Sequence, residues 1–248
     1  MNSFGNIKAI AKRELSGYFG SPVAYVFIVI FLLLTGFFTF EAGGFFERGQ
    51  ASLDGSFFMW HPWLYLFLVP AAGMRLWAEE RRVGTLELLL TMPVTAWQAI
   101  VGKFLASWLF LALALLLTFP VVITVNYLGS PDNGVIFTAY VGSFLLAGAY
   151  LAISGMTSAM TRNQVVSFIV SVVICLFLVL CGFRPVLQLL TRLDKPWLVN
   201  LVASFSVMTH FETFSKGLLD SRDVIFFLSV IGFSLFTTGV ILRSHRSG

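Results

Sequence analysis

Glu79-Glu80-Arg81-Arg82-Val83-Gly84-Thr85-Leu86-Glu87-Leu88-Leu89-Leu90-Thr91-Met92-Pro93-Val94 is a charged, helix-forming run in a chain that is otherwise nearly all hydrocarbon. Four consecutive charges exclude this segment from the interior of a bilayer. Gly84 fits a helix terminus and Thr85 an N-cap, so a helix running in as far as Arg82 is expected to break there and a second, short one to begin. Glu87, in the first turn of that second helix, suits the positive end of its dipole. Leu86, Leu89 and Leu90 recur at the spacing of one helical face, and Pro93 stops the helix soon afterwards. The expected product is an elbow with an apolar face and a charged shoulder, both of which a soluble partner can use.

The rest of the composition places this elbow at a membrane. Of 248 residues, 58% are hydrophobic and 11% charged, against about 25% charged in an ordinary soluble domain. The net charge of +4 comes without a Lys/Arg run long enough for a nucleic-acid footprint, so nucleic acid is not an expected partner. Cys175 and Cys181 lie in one apolar segment without sharing a helical face, and read as reduced packing residues.

Residues 1–20 carry Lys8, Lys12 and Arg13 among Phe4, Ile7 and Ile10, the pattern of an amphipathic helix on the cytoplasmic membrane face. A signal peptide is the rival reading, but the apolar run 23–40 is too long for a signal core and no A-x-A-like site follows it. Six stretches reach or approach spanning length: 23–40, 57–74, 104–125, 137–160, 165–183 and 224–242. Six spans put both termini on one side. With the N-terminus inside, ten cations and four acids fall inside, six cations and eight acids outside. The positive-inside rule selects this orientation, which places residues 75–98 in the cytoplasm. On the outer side, 184–223 is long enough for short re-entrant or interfacial helices, and Gly217 is expected to end one before Asp220, Ser221 or Asp223 caps the last span.

The run from Glu79 to Val94 resembles the cytoplasmic coupling region of membrane subunits in the ABC-2 class of ABC transporters. Ser21-Pro22-Val23-Ala24-Tyr25-Val26 before the first span, and His210-Phe211-Glu212 followed by Lys216-Gly217 and Arg222-Asp223 before the last, are similar to the branch named for the gliding-motility subunit GldF. The resemblance implies an all-α integral membrane protein with the six-helix, type V exporter-like permease fold and cytoplasmic termini. It implies pairing with a second permease subunit, identical or not, and docking of a cytoplasmic ABC ATPase. The ATPase-coupling residues are then expected to be Glu79, Glu80, Arg81, Arg82, Gly84, Thr85, Leu86, Glu87, Leu89, Leu90 and Pro93. For the four charged residues, the plainer alternative is a solvated cluster that only sets topology.

Little else in the sequence points to chemistry. There is no G-x-x-x-x-G-K-[ST], so ATP and Mg belong to another chain, and no cofactor is expected here. No His or Cys pair has zinc-ligand spacing, the three histidines are dispersed, and no catalytic residue is assigned. Lys103, at the cytoplasmic end of the third span, reads as a snorkelling anchor, with a contact to the elbow as the alternative. His61, beside Pro62, reads as interfacial or kink-filling. The lack of a midplane carboxylate disfavours an ion-driven carrier or channel. Pro62, Pro70 and Pro120 bend spans or act as hinges. Gly148, Ala152, Gly155 and Ala159 form a small-residue stripe, for packing within the subunit or for a dimer seam. Two functions remain in view: an ATP-driven exporter subunit of the bacterial inner membrane, and a scaffold or force-transmitting subunit that engages a periplasmic partner through 184–223.

Overall fold

The computed structural model describes residues 3–49, 51–85, 95–191 and 196–244, and every regular element among them is helical. In order these are α1 (Ser3–Phe19), α2 (Pro22–Phe37) with a π-helical turn Phe38–Ala42, a 3-10 turn Phe58–Trp60, α3 (His61–Gly73), α4 (Arg75–Val83), α5 (Ala96–Leu116) and α6 (Phe119–Leu128). They are followed by α7 (Asn133–Met160), α8 (Gln164–Leu180), α9 (Arg184–Thr191), α10 (Pro196–Ser204), α11 (Val207–Ser215) and α12 (Ser221–Ser244).

Among the described residues, four segments are long and apolar enough to cross a membrane: Pro22–Ala42, Ala96–Leu128, Asn133–Met160 and Ser221–Ser244. They extend four of the expected spans by a few residues at most ends. The other two expected spans are shorter helices, α3 with 13 residues and α8 with 17. The segment Ala96–Leu128, at 33 residues, is about 50 Å long, so roughly 20 Å exceeds a bilayer core of about 30 Å. It is interrupted where Pro120 lacks an N–H, and there the Thr118 hydroxyl bonds the Leu115 carbonyl at 2.6 Å and the Tyr140 hydroxyl at 2.8 Å.

α7 is the axis of the bundle, with α3, α4, α5, α8, α11 and α12 packed around it. Its sequence explains this position, since it has no charged residue and alternates bulky apolar side chains with Gly, Ala, Ser and Thr that let neighbours approach. The stripe is used within the subunit. The Trp108 indole lies over Gly148, held by a hydrogen bond from Nε1 to the Phe144 carbonyl at 2.9 Å and by stacking on the Phe144 ring at 4.2 Å. A Cβ at Gly148 would stand 2.7 Å from that pinned indole. Gly148→Ala is therefore expected to destabilise the protein by about 1–3 kcal/mol; an unchanged unfolding midpoint in detergent would contradict this packing. On the outside of the bundle, Val26, Val29 and Leu33 of α2 and Val165, Ile169, Val173 and Phe177 of α8 stay exposed, as helices facing lipid require.

α1 does not stand apart. Asn6 bonds Gln98, Ile10 lies against Gly102, Glu14 pairs with Lys103, and the Tyr18 hydroxyl meets Ser107 at 2.8 Å. The nearly constant offset between partners means that α1 runs beside the first half of α5 and in the same direction. The inward row Asn6, Ile7, Ile10, Ala11, Glu14, Leu15, Tyr18 is the helical stripe, and Lys8, Lys12 and Arg13 face out. Cys175 and Cys181 are free and buried, as expected of packing residues.

Candidate coupling site

The shoulder begins where α3 gives way to α4. Pro70 removes one N–H inside α3, and one turn later Met74 separates the two helices. The first N–H groups of a helix have no partner within it. In α4, that of Trp77 is accepted by Ser158 Oγ at 3.0 Å; the same oxygen also accepts from the next N–H, of Ala78, at 2.9 Å and donates to the Met74 carbonyl at 2.8 Å. Ser158 belongs to α7, so α4 is capped by a different helix. One turn earlier on α7, the Ser154 hydroxyl donates to the Pro70 carbonyl at 3.3 Å. The joint between span and shoulder is thus bonded to the bundle axis from both sides.

Successive residues on a helix are about 100° apart, so the four consecutive charges Glu79 to Arg82 of α4 cannot all face the same way. Glu79 and Arg82 face out, 46% and 63% exposed, with 4.0 Å between them, a separation worth little in solvent. Arg81 turns inward, its guanidinium donating to the Ala159 carbonyl near the end of α7. Glu80 also turns inward, onto Lys103. The ammonium of Lys103, 5% exposed, lies 2.8 Å from Glu80 and 3.2 Å from Glu14, and 5.5 Å from the centre of the Trp77 ring. One cation thereby fastens α1, α4 and α5 together. Burial alone would raise the Glu14 carboxyl, but Lys103 and Arg13 beside it hold it below the usual carboxylate range.

α4 ends as the sequence leads one to expect. Gly84 adopts a left-handed conformation, φ 79°, and its N–H bonds the Glu80 carbonyl, the geometry for which glycine is suited. The Thr85 hydroxyl lies 3.5 Å from that carbonyl. Leu86, Glu87, Leu89, Leu90 and Pro93, and with them the expected second helix of the elbow, lie outside the described residues. Of the coupling residues, the fold therefore brings Glu79, Arg82, Gly84 and Thr85 to the outer edge and commits Glu80 and Arg81 to internal contacts.

Lys103 is not the snorkelling anchor first expected of it but the contact to the elbow, because two acids from different helices converge on it. A signal for this lay in Glu14, an acid on the apolar stripe that includes Ile7 and Ile10. Ser158 could not be found from the sequence, where it is one hydroxyl among several on α7. At the far end of the bundle, His210 and Asp223 form a buried pair at 2.5 Å. Asp220 rather than Ser221 or Asp223 caps α12, accepting the Arg222 N–H at 2.9 Å. His61 is wholly buried, with Nδ1 2.7 Å from Ser143 Oγ, and not interfacial.

An all-helical, multi-pass membrane protein carrying a braced, charge-edged shoulder is the class that these features define. Within that class the chain belongs to the ABC-2 transporter family, for the model described as ABC-2 family transporter protein matches residues 63–238. The match includes the shoulder, Lys103 and Ser158, and begins after α1 and α2. No curated protein matches the chain. Members of this family generally work with a cytoplasmic ABC ATPase.

Proposed function

We propose that this chain is the non-catalytic membrane subunit of an ATP-driven exporter in the bacterial inner membrane, its energy supplied by ATP and Mg held on a separate ATPase. The observation that carries this reading is the construction of α4. A helix that only set topology would need its charges but not a cap from α7, a buried Lys103 clamp and a glycine break at its end. A helix that must receive a push and pass it on needs all three. In this reading α4 and the segment after Gly84 seat on the ATPase, Glu79 and Arg82 bond its rim, and displacement passes through Ser158 to α7 and through Lys103 to α1 and α5. Six spans, with α3 and α8 as the short second and fifth, and cytoplasmic ends for both α1 and α12 complete the topology. A second permease subunit faces this one across the seam where cargo passes. The GldF-like stretches at 21–26 and 210–223 support the gliding branch, and with it a second reading. The Trp197, Leu201 and Phe205 side chains, one turn apart on and just after α10, are all more than half exposed, a face through which a periplasmic partner could take force with no cargo transported.

The reading is tested by gentle extraction from the native membrane. A P-loop ATPase is expected to co-purify with the wild type, and to be lost with Leu86→Arg and with the double reversal Glu79→Lys/Arg82→Glu. Glu79 and Arg82 are exposed, so the double variant is expected to unfold within about 0.5 kcal/mol of the wild type. Glu80→Lys is a poor probe because it also breaks the Lys103 clamp. Absence of any ATPase at every detergent strength overturns the proposal, and cargo uptake by reconstituted vesicles separates export from force transmission.

A further inference from the structure

His210 on α11 and Asp223 in the first turn of α12 meet at the end of the bundle opposite the shoulder, because α12 runs from this pair to Gly239 beside Trp97 at the start of α5. Asp223 Oδ1 lies 2.5 Å from Nδ1 of the ring. Nε2 lies 3.2 Å from the backbone carbonyl of Ser204, the last residue of α10. The ring stacks on Phe226 with 4.0 Å between centroids, and His210 and Asp223 are 7% and 5% exposed. A neutral imidazole offers one N–H and one bare lone pair. Here both nitrogens face acceptors, so only a ring with a proton on each satisfies both. The alternative, in which Asp223 keeps the proton, puts it on the group that ordinarily holds a proton less tightly.

We infer that His210 is an imidazolium serving as a proton-dependent latch, its two N–H groups tying the end of α10 to the outer end of the last span. Loss of one proton removes a charge-assisted bond, either to the part-buried Ser204 carbonyl or to the buried Asp223 carboxylate, and so releases α10 from α12. The neighbouring elements bring no competing charge: α7, α8 and the 3-10 turn, which pack on α11, carry none, nor does α10. Among the described side chains, the remaining charges in this region lie toward solvent. Glu212 and Lys216 pair with each other at 3.6 Å and are 51% and 63% exposed, Asp220 and Arg222 are exposed, and Asp54 precedes the 3-10 turn. Asp223 is thus the carboxylate in contact with the ring. The inference goes beyond the proposed export function and does not depend on which side of the membrane this end faces.

The test uses protein labelled with 15N-histidine in nanodiscs, where buffer reaches both faces. The signal lost in His210→Gln is assigned to His210; if that variant does not fold, loss of the other two signals in His61→Gln and His245→Gln assigns it instead. Both ring nitrogens are expected to carry a proton while the two bonds are made, and the loss of one is followed as a single step when the pH of the solution is varied. Across the same step, amide exchange over 196–219, corrected for its intrinsic pH dependence, is expected to rise about tenfold, the effect of losing one charge-assisted hydrogen bond, while 133–160 stays unchanged. A ring with a single proton while exchange over 196–219 is still low overturns the assignment, and exchange that does not follow the ring's titration overturns the latch.

Discussion

Replacing Lys103 by methionine is expected to destabilise the protein by about 3–5 kcal/mol, the usual consequence of removing one member of a buried charge cluster. Methionine fills much the same space, so the loss is electrostatic. Glu14 and Glu80, 22% and 20% exposed, would be left facing each other with the cation between them gone. The dependence on pH gives the sharper test. In the wild type, Glu14 is held below its ordinary value of 4.5, so its contribution is fully present above that value and is lost as pH falls through the lower value it takes in the fold. In Lys103→Met the two carboxylates repel, and acid relieves them. The wild type is therefore expected to lose stability on acidification over a range in which the variant gains it. Unfolding in detergent at a series of pH values measures both, and parallel slopes would show that Lys103 does not clamp the two acids. Lys103→Arg, which keeps the charge in a larger head, is expected to fall between the two.

The sequence carried the boundaries of this site better than its interior. The break at Gly84 was legible because only glycine takes a left-handed backbone without penalty, and the membrane character of the chain was legible because its six apolar stretches leave so few places for charge. The inward turn of Glu80 and Arg81 was not, for a run of four charges says that a helix is solvated on some side but not which side lies on a neighbour. That choice is made by α7, eighty residues away in sequence, through Ser158 and the Ala159 carbonyl. Lys103 looked like an anchor because a lone cation at a span end usually is one; Glu14 on the stripe of α1 held the contrary signal. His210 and Asp223 were read separately, one as a dispersed histidine and the other as a cap, since the turn at Gly217 that folds α11 back beside α12 fixes direction without fixing which side chains meet. The shortness of α3 arises at its start: the apolar run begins at Phe57, but Phe58–Trp60 form a 3-10 turn and the α-helix begins only at His61, with Pro62 in its first turn.

Ser158→Ala is expected to destabilise the protein by about 1–2 kcal/mol, because the Trp77 N–H in the first turn of α4 loses its acceptor while the Ala78 N–H and the Met74 carbonyl each lose one bond. Ser154→Ala, which removes two long contacts, 3.3 Å to the Pro70 carbonyl and 3.4 Å from the Ser171 hydroxyl, is expected to cost about 1 kcal/mol. The position of the damage matters more than its size. Amide protection at Trp77 and Ala78 should fall while that of α7 persists, and unchanged protection at those two amides would rule out capping from α7. The residues that face outward, Glu79 and Arg82, are untouched by this substitution. Under the coupling reading, Ser158→Ala should therefore retain the ATPase in co-purification yet uncouple it, whereas Glu79→Lys/Arg82→Glu should lose the ATPase with the fold intact. Opposite outcomes from two substitutions less than 80 residues apart in sequence, and on facing helices in the fold, would divide α4 into an edge that binds and a root that transmits. If both variants behaved alike, α4 would be a structural brace and coupling would have to be sought in the segment beyond Gly84.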